Sequence, residues 1–323
     1  MPGRKEMPNA EAQRRGDAIK KIIVFGSAVC ALFLILLPAA LAQDNNIPKY
    51  TVRVDIVSID VEVLDKDGNT IPDLTQKDFT VQENGNEKEI VHFARLHDNP
   101  VSLAILLDTS TIELRKLNIA KQFILDIIHL LGHKDDISLF SFDNRDAYRE
   151  VDFTTDRPSI VNAIENIAVS SKRKWGFLSE FFGSDPATAL AIDRAIHSQR
   201  KSAHPKKALL VISNRFRGLG PVTVDHIQES RCTLYALGFS NKSASIRGFG
   251  DQISKRQLMS ESGGRMFSAE TEDIMGVSRA IVSSMKNYYS IGYKTDADLE
   301  ERRIEVRIPG HDYVLNTRRT ITE

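Results

Sequence analysis

The run Val101-Ser102-Leu103-Ala104-Ile105-Leu106-Leu107-Asp108-Thr109-Ser110 constrains the fold more than any other stretch. A nearly unbroken apolar segment ends abruptly in an aspartate and two hydroxyl residues. Such a segment suits a strand covered on both faces, in the middle of a parallel sheet packed between helices. In open α/β sheets, ligands bind at the carboxyl ends of those strands. There Asp108 and Ser110 offer a carboxylate oxygen and a hydroxyl, donors suited to Mg2+ or Ca2+. On the tripeptide alone, the alternative is that both residues cap a helix beginning near Thr111.

The rest of the middle of the chain repeats the strand–helix alternation. Ile137–Phe142 alternates as a strand, and Ala208–Ile212 and Leu234–Leu237 are two further buried strands. Helical spacing runs over 112–131, where Gly132 is the expected stop, and over 159–167, 187–199, 224–230, 253–260 and 273–286. Residues 97–287 are therefore expected to form an α/β domain with a doubly wound, mostly parallel sheet. Residues 48–96 read as a small β module. It has an alternating strand over 50–64, a turn at Asp65–Asn69, and a hairpin pairing Phe79–Glu83 with Glu89–Phe93 around Asn84-Gly85-Asn86. The turn is not a calcium loop, because Thr70 and Gln76 stand where an EF-hand needs glycine and glutamate. Residues 288–323 supply further antiparallel strands, expected to join the N-terminal module in one β layer.

Ile22–Ala42 is a 21-residue stretch without a charge, preceded by six basic and three acidic residues and ending in Ala40-Leu41-Ala42. Basic, apolar and small-x-small regions in that order make residues 1–42 a secretory signal. The apolar stretch is also long enough to stay as an anchor in the inner membrane. Either way the remainder is exported, periplasmic or secreted, and touches a membrane only through that segment if it is uncleaved. The whole chain has 43 basic and 43 acidic residues, so it lacks the basic excess of a nucleic-acid binder. Beyond residue 42 only Cys232 remains of the two cysteines, and it reads as a small buried strand residue.

In order and spacing, the motifs Leu106-Leu-Asp-Thr-Ser110, Asp136-Ile-Ser-Leu-Phe-Ser-Phe-Asp143, Phe153-Thr-Thr-Asp156, Thr188-Ala-Leu-Ala-Ile-Asp-Arg-Ala-Ile196 and Tyr288-Tyr-Ser-Ile-Gly-Tyr293 resemble secreted bacterial von Willebrand factor type A (VWA)-related proteins of the acidobacterial type. So do Val61–Phe79 and Glu83-Asn-Gly85 of the leading module. The resemblance implies a VWA-like, Rossmann-type fold and a metal-ion-dependent adhesion site with the pattern Asp-x-Ser-x-Ser, a threonine and a second aspartate. In such a site a bound Mg2+ or Ca2+ receives an acidic residue of a protein partner. Carried over by position, Asp108, Ser110 and Thr188 match. Ile112 replaces the second serine and Asn214 replaces the last aspartate, so the implied site is degenerate. Asp143, Glu180 or Asp185 from nearby loops could stand in for the lost ligands.

Two segments beside that site carry interface-type residues. Trp175 (the only tryptophan) and Phe177 follow a basic triplet in the long loop 170–186, and Arg215 and Arg217 lie just after the strand ending at Ile212. A satellite hydrophobic cluster under the loop is the structural alternative for the aromatics. No nucleophile with a base is evident, and His129, His133, His197 and His204 lack metal-ligand spacing. The expected function is an exported, non-enzymatic protein-binding module. The rival is a structural component of an envelope or secreted assembly with no metal-dependent binding.

Overall fold

The computed structural model describes residues 55–110, 112–143, 145–170, 186–213, 219–239, 255–269, 273–295, 301–318 and 320–322. The expected signal or anchor lies outside them, as do Trp175, Phe177, Glu180, Asp185, Asn214, Arg215 and Arg217. No helix among the described residues is long and apolar enough to cross a membrane.

The leading strands are β1 (Asp55–Leu64), β2 (Thr80–Glu83), β3 (Asn86–Lys88) and β4 (Ile90–Leu96). The α/β part follows as β5 (Val101–Asp108), α1 (Leu114–Leu130), β6 (Asp136–Phe142), β7 (Ala147–Thr154), α2 (Arg157–Asn166), α3 (Pro186–Gln199), β8 (Lys206–Ile212), α4 (Pro221–Ser230), β9 (Thr233–Gly238), α5 (Lys255–Ser262), β10 (Arg265–Ser268) and α6 (Ile274–Lys286). The chain ends in β11 (Tyr288–Thr295), β12 (Glu301–Arg307), β13 (Val314–Thr317) and β14 (Thr320–Thr322).

The central sheet has the order β10-β9-β8-β5-β6-β7, and only β7 runs antiparallel. Every residue of β5 is buried, as its apolar run requires. Alternate side chains divide between two cores. Val101, Leu103, Ile105 and Leu107 pack with α1, α2 and α6, whereas Ala104 and Leu106 pack with α3, α4 and α5. Burial on both faces supplies the main stabilising term, at roughly 25 cal/mol per Å2 of apolar surface. Cys232 is buried at the start of β9 beside the Gln199 side chain, and burial pushes its thiol pKa up.

Strands from the two ends of the chain interleave in two facing sheets rather than one layer. One has the order β13-β1-β11-β4 and the other β14-β12-β2-β3. Between them lies a core built from Val57, Ile59, Val61, Phe79, Tyr289, Ile291, Tyr293, Ile304 and Val306. The expected hairpin is also corrected. β2 turns through Asn84 and Gly85 (φ 50° and 83°) onto the short β3, and β4 pairs with β11 instead. Phe93 of β4 is drawn into an aromatic cluster with Phe79 and Tyr289, with ring centroids 5.2–5.6 Å apart. Gly132 does not supply a left-handed stop for α1. The helix ends at an extended Leu131, and Gly132 donates its N–H to Asp135 Oδ2 at 2.6 Å.

Candidate functional site

The strand order places β5 beside β8, although β6 and β7 intervene in the chain. The order reverses there, and such reversal points are where open α/β sheets bind ligands. Asp108 is the last residue of β5, and Ser213 directly follows β8. Their side chains meet: Ser213 Oγ donates to Asp108 Oδ2 at 2.6 Å. Asp108 Oδ1 accepts from both the N–H and the hydroxyl of Ser110, each at 2.9 Å. The carboxylate is 1% exposed. These hydrogen bonds replace the water that a buried anion gives up.

The loop after β5 is tied to its neighbours as well. The N–H and hydroxyl of Thr109 both donate to the Phe142 carbonyl, at 2.9 and 3.1 Å. The Thr109 carbonyl accepts from Ser170 N at 3.2 Å. Loops after β5, α2 and β8 are thereby joined at one rim. Asp108 and Ser110 do not cap α1, whose N-cap is Glu113. Thr188 is fully buried in the first turn of α3, on the side of the sheet to which Asp108 belongs by alternation with Ala104 and Leu106. Asp143 Oδ1 accepts from Arg145 N at 2.7 Å and Asp146 N at 3.2 Å, so it shapes its own turn.

Ile112 stands where the resemblance implies the second serine. It is 0% exposed and belongs to the core formed with α1, α2 and α6. The described donors are therefore one carboxylate already accepting three hydrogen bonds and two hydroxyls, Ser110 and Thr188. Mg2+ keeps its waters unless carboxylates or phosphates replace them, and Ca2+ needs six or more oxygens. By themselves these described donors fall short of either shell, and Asn214, Glu180 and Asp185 lie outside the described residues. Among the described residues, no group of three or more His, Cys, Asp or Glu side chains could hold a metal ion.

Of the expected site residues, the structure brings together Asp108 and Ser110. Ser213 is the participant that sequence reasoning missed. Its only signal was its position, a hydroxyl directly after the buried run Ala208–Ile212. Of the histidines, His204 has its Nε2 2.6 Å from the Lys134 carbonyl, at the opposite end of the sheet.

Residues 103–216 match the von Willebrand factor type A domain family. The α/β part of the chain has a VWA-like fold. Similar solved structures include an aerotolerance-related membrane protein from Bacteroides fragilis, 19% identical, covering 57% of this chain and 98% of that one with a TM-score of 0.42. BatB from Bacteroides thetaiotaomicron is 18% identical over 57% of this chain and 98% of that one, with a TM-score of 0.39. Proximal thread matrix protein 1 from the mussel byssus, with a zinc-occupied adhesion motif, is 13% identical over 62% of this chain and 49% of that one, with a TM-score of 0.40. No curated protein sequence matches the chain. The extra antiparallel sheets flank the VWA-like part from both ends of the chain.

Proposed function

We propose that this protein is an exported, non-enzymatic binding module that recognises another protein through the rim at the carboxyl ends of β5, β6 and β8, without a bridging metal. The observation that carries this reading is the Asp108–Ser213 hydrogen bond across the strand-order switch. It ties the end of β5 to the residue that follows β8 and keeps the carboxylate engaged by protein donors. Ile112, committed to the core, offers no ligand at the position where the resemblance implies a serine. Export rests on the basic, apolar and small-x-small order of residues 1–42.

Trp175, Phe177, Arg215 and Arg217 are the proposed contact residues. The segments that carry them leave the described structure at Ser170 and Ser213, and both of those residues are bonded into the rim. Aromatic and arginine side chains serve as interface anchors, and the arginines suit an acidic partner surface in place of a cation. Affinity capture from the native envelope, with and without a chelator, tests the reading. Capture is expected to persist in chelator and to be lost in Trp175→Ala or Arg217→Ala. Loss of capture in chelator alone refutes the metal-free mode, and capture that survives both substitutions refutes the rim.

A further inference from the structure

The end of the central sheet opposite Asp108 faces the outer side of β1 and β11, and the two surfaces do not close on each other. A cavity of about 340 Å3 remains between them, within the range of small-molecule sites. Hydroxyl groups face it from both sides: Ser58 and Ser290 from the antiparallel sheet, and the hydrogen-bonded pair Tyr235 and Ser284, 3.0 Å apart, from the α/β part.

The charges around this cavity do not balance. Each carboxylate in the wall has a cation of its own: Asp60 is 2.8 Å from Lys206 Nζ, and Glu62 is 3.6 Å from Arg265 Nη1. Two more guanidiniums, Arg231 and Arg318, line the same space. Arg318 donates to the carbonyls of Gln228 and Cys232, each at 2.8 Å, and to no carboxylate among the described residues. Arg231 stands at the exposed mouth. It is a non-glycine residue held in left-handed backbone at φ 55°, at the C-cap of α4. A side chain kept in that sparsely populated conformation beside a cavity is the kind of strain found at functional sites.

We propose that this cavity binds a small organic oxyanion, a single carboxylate or phosphate group on a short hydroxylated body, with Arg231 and Arg318 as its anion-binding pair. Desolvation lowers the Arg318 pKa to about 10; the nearby Cys232 and Asp60 oppose that shift, and the charge of Arg231 adds to it. A bound anion would offset the repulsion between the two guanidiniums. Guanidinium forks match the oxygens of either group, and the hydroxyl-lined walls suit a polar body.

The test is thermal unfolding and calorimetric titration of the full chain with inorganic phosphate and with lactate, against chloride at matched ionic strength. One of the two oxyanions is expected to raise Tm saturably and to bind at one site per chain. Which one saturates tells phosphate from carboxylate recognition. Arg231→Gln is expected to weaken that binding about tenfold or more, the loss of one charge-assisted hydrogen bond. Arg231→Gly removes the cation while suiting the left-handed backbone, so it serves as a variant secure in folding. The exposed Arg307→Gln should leave affinity unchanged. A Tm rise no larger than that of chloride for both oxyanions overturns the proposal. So does affinity that is retained in Arg231→Gly.

Discussion

Ile112→Ser places a serine where the resemblance implies one, and the structure says it harms the protein. Ile112 is 0% exposed in the core shared by α1, α2 and α6. Cutting a fully buried isoleucine back to Cβ costs about 2–5 kcal/mol, because lost transfer energy and a residual cavity add. A hydroxyl placed in that apolar setting costs about 1–3 kcal/mol more if it finds no partner. The expected loss is about 3–8 kcal/mol, a large share of the ~5–15 kcal/mol that holds a typical protein folded. Urea unfolding at constant m reads the loss as a lowered midpoint. Ile112→Val, at about 0.5–1.5 kcal/mol, is the volume control. Adding Mg2+ or Ca2+ should not restore the midpoint. A loss under about 1 kcal/mol refutes the core role of Ile112, and a midpoint raised by either cation in the unaltered protein refutes the metal-free rim.

Gly264→Ala tests the edge of the central sheet. A Cβ at Gly264 would lie 1.7 Å from the Leu234 carbonyl oxygen, so β9 and β10 must separate, at a cost of at least about 3 kcal/mol. A variant with an unchanged melting curve contradicts so close an approach of the two backbones. Glu83→Ala should cost about 3–5 kcal/mol in urea unfolding, since it takes the carboxylate away from Tyr293, Thr295 and the buried Arg302. A loss below about 1 kcal/mol would show that the two-sheet core does not depend on that cluster. His226 pairs with Asp193 at 3.0 Å, and that hydrogen bond raises its pKa above the ordinary 6.5. Its contribution to stability is therefore full below pH 6.5 and is lost as pH rises through the raised folded-state value. An NMR titration should place the midpoint above 6.5, and Asp193→Asn should return it; a wild-type midpoint at or below 6.5 removes the linkage.

The α/β part was legible because a buried parallel strand leaves a local signature. Val101–Leu107 is apolar at every position but Ser102, and the structure buries all of it. Partners distant in the chain leave no such mark. Glu89–Phe93 has the look of a hairpin's second strand, yet its partner is β11, about two hundred residues away. The choice is made by Phe93 meeting Phe79 and Tyr289. The four-residue β10 carries only Met266 and Phe267 as apolar residues, and its place depends on Gly264 lying against the Leu234 backbone, which no periodicity records. At the site, Asp108 and Ser110 were readable as a motif. Ser213 was not, because its role exists only once β8 lies beside β5.

The same strand order bears on how the proposed recognition rim would keep its shape without an ion. In a metal-bridged rim the cation supplies the charge that holds loops from separate strands together, and removing it leaves their oxygens facing one another. Here the Asp108 carboxylate accepts from Ser110 and Ser213, while Thr109 is bonded to Phe142 and to Ser170. Each loop is thus fixed by donors belonging to the chain itself, and the entropy of ordering it is spent in folding rather than at binding. Loss of the Ser213 hydroxyl in Ser213→Ala should therefore lower stability by about 1–3 kcal/mol, the cost of a hydrogen bond to a buried charged group. It should also weaken partner capture in proportion to the order lost, with no response to chelator. If Ser213→Ala captures partner as well as the unaltered protein while unfolding at lower urea, the Asp108–Ser213 bond serves the fold alone and recognition lies elsewhere on the molecule.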